Sequence, residues 1–271
     1  MSDPAPLPTF LVIGAQKSAT RWLKANLAEH PDVHVAPREV GYFHDPDRVR
    51  DGGPGWYRAQ FHGWRGERAV GEGTPGYMIW HHRPADVAAR IQELVPDVRL
   101  VAILRDPVER ARSALDHFKK WGDVEPDADL MALVRAERDA GHLRPEPPAS
   151  NVRGWGGPQT LVTGGWYAAS LAPYLERFGD HLLVVLDDDV AADPRDVHRR
   201  VLEHLGVDPG HAPSTLRRTL FSNVAPRRLR RSPRRPPLAD ADRAELFELF
   251  RDDVDRLEVM IGRDLGAWRP G

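Results

Sequence analysis

Lys17, Ser18, Thr20 and Arg21 place two cations and two hydroxyls within a few residues of one another. They follow the apolar run Phe10-Leu11-Val12-Ile13 and Gly14, and Trp22, Leu23 and Leu27 then recur at helical spacing. A continuous apolar run suits a strand buried on both faces of a parallel sheet. The chain therefore passes from strand to helix across a loop that carries a lysine and hydroxyls. Amides at a new helix N-terminus point into such a loop, and the helix dipole adds partial positive charge there. Together these groups read as a phosphate cradle. An ordinary P-loop needs G-x-x-x-x-G-K-[ST], whereas Lys17 comes three residues after Gly14 with no second glycine before it. A plain β–α turn with an incidental lysine is the alternative for these residues taken alone.

A second constellation follows the apolar stretch Val98 to Leu104. Pro107 marks a helix start, where its missing N–H costs nothing. Arg105 then sits at the carboxyl end of a strand, where open α/β sheets bind ligands, and Ser113 lies two turns into the helix. Arg110 reads equally as a ligand contact or as a structural ion-pair residue. Glu39, between a proline and an apolar run, reads from its neighbours as a solvated turn carboxylate. Asp187, Asp188 and Asp189 lack the spacing that wraps a hard cation and suit a helix cap, so no metal is expected. Arg227 to Arg235 hold six arginines, a solvated run or a nucleic-acid contact. With no recognition module beside it, no nucleic-acid partner is expected.

The elements that must position these groups can be placed by pattern. A brief extended stretch is expected at Asp32 to Ala36, and further strands at Arg68 to Glu72 and His181 to Leu186. Helices are expected at Asp86 to Leu94, Asp127 to Ala140, Gly165 to Phe178, Arg195 to Leu205 and Asp240 to Ile261. At 271 residues and a formal charge of −2, the chain can bury a sizeable core and projects no overall field toward nucleic acid or membrane. It has no cysteine, which excludes disulfide and thiolate chemistry. No window approaches the ~18 apolar residues of a membrane span. The polar, proline-rich first eight residues lead to the expectation of a soluble, cytoplasmic protein. A Pro/Gly-rich stretch from Arg144 to Gly164, within a loose segment 121–165, reads as a mobile lid or as disorder.

Gly14 to Leu23 resembles the 5′-phosphosulfate loop of sulfotransferases that use 3′-phosphoadenosine-5′-phosphosulfate (PAPS), written G-x-x-K-[SAT]-G-T-[TS]-x-L. Ala19 stands for the usual glycine and Arg21 for the second hydroxyl. Leu104 to Ser113 is similar to that family's 3′-phosphate element, L-R-[DN]-P-x-x-R-x-x-S, at every defined position. Arg38 to Phe43 resembles the K-E-x-x-[FY]-F element of its carbohydrate-type members, whose glutamate is the general base. Gly71 to Tyr77 resembles G-E-[KA]-[ST]-P-x-Y, with Gly73 where a lysine often follows the glutamate. Leu257 to Trp268 looks like the terminal L-E-x-x-x-G-x-x-L-x-x-W.

The resemblance implies one α/β domain over 1–271, a P-loop-like parallel sheet flanked by helices. It implies sulfuryl transfer from PAPS, leaving PAP, to a hydroxyl on a carbohydrate or on a small alcohol or phenol, without a metal. Lys17 and Glu39 would be catalytic. Lys17, Ser18, Ala19, Thr20, Arg21, Arg105 and Ser113 would bind the donor, joined by Arg227 and Arg228 in a covering loop at 223–237. Glu72, Thr74, Tyr77 and Trp155 would face the acceptor. Glu72, His44, His81 and His82 are the next candidates for the base. A nucleotide kinase, or a non-catalytic nucleotide- or polyanion-binding protein, remains the rival reading.

Overall fold

Each apolar run becomes a strand in the computed structural model, which describes residues 6–144, 157–214, 216 and 237–271. Trp155, Arg227, Arg228 and the arginine run lie outside the described residues. The strands are β1 (Phe10–Gly14), β2 (Val33–Val35), β3 (Ala69–Gly73), β4 (Arg99–Leu104) and β5 (Leu182–Leu186). They form one parallel sheet in the order β2-β3-β1-β4-β5. Val12 pairs with Gly73 on one side and with Val101 on the other.

Strand side chains alternate between faces, and the core divides accordingly. Phe10, Val12, Val101 and Ile103 point to one face, closed by α1 (Thr20–Leu27) and, later in the chain, by the helix Pro194–Leu205. Leu11, Ile13, Leu100, Ala102 and Leu104 point to the other. That face is covered in turn by α2 (Gly53–Ala59), α3 (Pro84–Leu94), α4 (Pro107–Trp121), α5 (Leu130–Asp139), α6 (Thr160–Thr163) and α7 (Tyr167–Phe178). The short α8 (Asp187–Ala192) precedes α9, the Pro194–Leu205 helix, and the chain closes with α10 (Asp240–Glu248) and α11 (Arg251–Ile261). From β1 the chain leaves toward β2, and from β3 it crosses back to β4 on the far side of β1. The carboxyl ends of β1 and β4 thus flank the topological switch point, where α/β sheets bind ligands. No helix among the described residues is long and apolar enough to cross a membrane.

One expectation is corrected. The single helix expected over Asp240 to Ile261 is broken at Leu249 and Phe250. There the last turn tightens, with Leu249 N–H bonding Leu246 O and Phe250 N–H bonding Phe247 O. The Leu249 carbonyl is released to accept from Trp166 Nε1 at 3.0 Å, and Phe250 turns fully into the core. Within the segment read as a lid, α5 buries Leu130, Met131 and Val134, and α6 is buried throughout. These parts belong to the core because their apolar faces pack on it, and residues 145–156 lie outside the described residues.

The C-terminal motif forms a latch. Gly262, left-handed at φ 62°, ends α11. The Glu258 carboxylate then accepts from Leu265 N–H at 2.6 Å and from Arg269 at 2.5 Å. Trp268 is buried and donates Nε1 to Asp188 at 2.9 Å. Arg243 joins the Trp268 carbonyl (3.0 Å) to Asp106 (2.7 Å). The three consecutive aspartates therefore diverge: Asp187 faces Arg105 at 3.4 Å, Asp188 takes Trp268, and Asp189 pairs with Arg263 at 2.8 Å.

Candidate functional site

The loop after β1 is built to leave amides exposed. Lys17 (φ 70°) and Ala19 (φ 54°) both take left-handed backbone, a conformation that can gather N–H groups into an anion-binding concavity. Ala19 is the N-cap of α1, whose first turn has neither a side-chain cap nor an acidic residue. The contrast with α4 is direct: there Asp106 caps Val108 N–H at 2.8 Å and Glu109 N–H at 3.3 Å. Gln16 Nε2 is buried and unbonded in the same loop. Ser18 Oγ is buried beside the Tyr167 hydroxyl, but their geometry falls short of a hydrogen bond. Unbonded buried polar groups cost ~1–3 kcal/mol each, a cost that a bound anion removes.

The left-handed backbone also explains the glycine of the resembling loop at position 19, since an L side chain is strained there. Replacing Ala19 with glycine is expected to raise stability by about 0.5–1 kcal/mol, read as a higher urea midpoint. A lower midpoint would mean that methyl packing outweighs the backbone strain.

Arg105 brings the second element to the first. Its guanidinium donates to Lys17 O at 3.3 Å and is held from behind by Asp187. Burial raises the Asp187 pKa, and Arg105 opposes the rise. Ser113 and His117 share one face of α4, four residues apart. His117 escaped the sequence reading, yet it faces Lys17 and Arg21, and burial with those cations lowers its pKa to about 4. Its only sequence signal was the spacing from Ser113. Arg110 proves to be structural but makes no ion pair among the described residues: it is fully buried and donates to the carbonyls of Thr160 (2.9 Å) and Leu161. Burial draws its pKa down to about 10.

Glu39 lies on the loop between β2 and α2 and is open to solvent. Enough protein nonetheless flanks its carboxyl that desolvation raises the pKa, while Lys24, Arg21 and Lys17 act against the rise, in that order. Lys24 is a second residue that the sequence reading missed; its signal was its position one helical turn beyond Thr20 and Arg21.

Glu72, Thr74 and Tyr77 are brought together beneath this loop, not on an open surface. All three are buried. The Glu72 carboxylate accepts from Thr74 Oγ1 at 2.6 Å and Tyr77 Oη at 2.5 Å. Thr74 Oγ1 in turn accepts from Gly41 N–H at 3.1 Å, and Tyr77 Oη from Tyr42 N–H at 3.2 Å. Burial raises the pKa of Glu72 and the hydroxyl donors oppose it. The network fixes the backbone two and three residues after Glu39. His44 and His82 stack at 4.4 Å and His82 Nδ1 meets Gly76 O at 2.8 Å, while His81 meets Thr163 Oγ1 at 3.2 Å.

A family model described as "Sulfotransferase domain" matches residues 7–234. Mouse heparan sulfate glucosamine 3-O-sulfotransferase 3B1 is 30% identical over 203 residues, which is 74% of this chain and 46% of that protein. The mouse 3A1 protein matches to the same extent. The chain thus spans about half the length of these relatives. The crystal structure of a sulfotransferase from Alicyclobacillus acidocaldarius aligns over 97% of this chain and 99% of that one, with a TM-score of 0.76 and 28% identity.

Proposed function

Since the chain belongs to the sulfotransferase domain family, we propose that it transfers a sulfuryl group from PAPS to an acceptor hydroxyl. The observation that carries this reading is the meeting of two cationic stations at the switch point, the uncapped loop with Lys17 and the Arg105 turn, joined at 3.3 Å. PAPS bears a phosphosulfate at its 5′ end and a phosphate at its 3′ position, so paired anion sites suit it. The uncapped amides of α1 and the unbonded Gln16 Nε2 fit such a ligand.

PAPS supplies an activated sulfuryl group attached to a phosphate leaving group. Lys17 balances the charge that grows on that phosphate, while Ser18, Thr20 and Arg21 hold its oxygens. Arg105 and Ser113 take the 3′-phosphate. Glu39 accepts the proton of the acceptor hydroxyl as its oxygen attacks. As in phosphoryl transfer, positioning and charge stabilisation carry most of the catalysis.

A carbohydrate acceptor has two supports. The relatives are named for heparan sulfate glucosamine, and Trp56, partly exposed near the Glu39 loop, stacks on Tyr42 at 6.0 Å. An indole face of this kind suits a sugar ring.

Calorimetry with PAP, adenosine 5′-phosphosulfate and ATP tests the donor. PAP is expected to bind more tightly than ATP, and labelled sulfate should pass from PAPS to a hydroxyl acceptor after dialysis against a chelator. Arg105→Ala should weaken PAP by ~10–100-fold, the loss of a charge-assisted contact of ~1.5–3 kcal/mol. Adenosine 5′-phosphosulfate, which lacks the 3′-phosphate, should be little affected. Equal losses for both ligands would remove Arg105 from the 3′ site. A preference for ATP with a magnesium requirement would replace the proposal with a kinase.

A further inference from the structure

Gly73 is the last residue of β3, next to the buried Glu72, and its neighbour across space is Lys24 of α1. A methyl group on Gly73 would lie 2.6 Å from Lys24 Cδ and 3.1 Å from Cγ. The lysine stem therefore lies over the glycine, and its Nζ donates to Gly73 O at 3.1 Å. A side chain at position 73 and the present course of Lys24 are mutually exclusive. The glycine, in the motif position where a lysine often stands, is what lets a lysine from another element enter.

That end of β3 is also where the Glu39 loop is fastened, through Thr74 to Gly41 N–H. Lys24 thus sits beside the strand end that anchors the loop bearing Glu39. We propose that Lys24 is a positioning residue for Glu39: its ammonium, laid across Gly73 at the strand end that fastens the Glu39 loop, faces the carboxylate and orients it. This rests on Glu39 being the proposed base, and it adds a group that acts through Glu39 without touching the substrate.

The charges around the pair support the assignment. Lys24 faces Glu72 from β3, Glu39 from the loop and Arg21 from its own helix. Burial lowers its pKa, and the two carboxylates oppose that fall. Glu39 faces Lys24, Arg21 and Lys17, with Lys24 the strongest of the three.

The test is the titration of the Glu39 carboxyl, followed by carbon NMR in the full chain without ligand. Lys24→Met keeps the stem and removes the charge, and should raise the titration midpoint by about one pH unit. The double variant Lys24→Ala with Gly73→Lys returns a cation to the same space from the opposite element, and should bring the midpoint back down. The acidic limb of kcat/KM should move in step, with PAP affinity unchanged. An unmoved midpoint in Lys24→Met, with only a lower melting temperature, overturns the inference even if the double variant does not fold. A midpoint that moves while the acidic limb stays still supports the coupling and instead removes Glu39 as the base.

Discussion

Replacing Glu39 with glutamine is expected to lower kcat by ~10²–10⁴-fold, the usual contribution of a positioned general base. Glutamine keeps the shape and removes only the basicity. Because burial already raises the Glu39 pKa, neutralising the group costs the fold little, and the melting temperature and PAP affinity should stay close to those of the parent. The pH dependence has a definite sign. Glu39 accepts a proton only when ionised, so activity should fall as pH drops through its titration, above the ordinary carboxylate range. A variant that turns over at the parent rate on its best acceptor would clear Glu39 of the role. Glu72 would be a poor successor, since Thr74 and Tyr77 occupy its oxygens and no part of it reaches solvent.

The second large effect concerns a residue that need not touch any ligand. Trp268→Ala should destabilise the protein by ~3–5 kcal/mol, the range for removing a buried indole. The loss should be visible as a lower urea midpoint with an unchanged slope. It combines an unfilled cavity with an unpartnered Asp188, since the indole N–H is that carboxylate's donor. Trp268→Phe keeps most of the volume and loses only the hydrogen bond, so it should cost about 1 kcal/mol. If alanine and phenylalanine cost the same, the hydrogen bond dominates and packing is secondary. Any weakening of PAP binding should track the Asp106 and Asp187 contacts, because the latch reaches the Arg105 turn through Arg243 and the aspartate triplet.

Much of this organisation is local, and local patterns are legible in a sequence. Phe10 to Ile13 and Leu100 to Leu104 announce buried strands because a parallel strand covered on both faces must be apolar at every position. Pro107 with Asp106 before it marks the start of α4 by rules that involve only neighbouring backbone. The strand-to-helix passage at Gly14 to Thr20 and Arg105 at a strand end could be read for the same reason; of the aspartates that suited a cap, Asp189 accepts from Leu186 N–H at 3.3 Å, while Asp187 and Asp188 turn to Arg105 and Trp268. What the sequence does not encode locally is which distant residues share a face. Lys24 carried no signal beyond its helical position until β3 brought Gly73 beneath it. Glu72, Thr74 and Tyr77 match a segment that the resemblance places on the acceptor side, and only the sheet shows that they are buried and support the Glu39 loop. Arg110 could have served a ligand or an ion pair, and only the packing of α6 on α4 supplied the two carbonyls that claim it. The residue types and the strand–loop–helix order were thus determined along the chain. The choice between contact, support and charge tuning was made by the crossing of β1, β3 and β4, because electrostatics and burial depend on distance in space and not on separation in sequence.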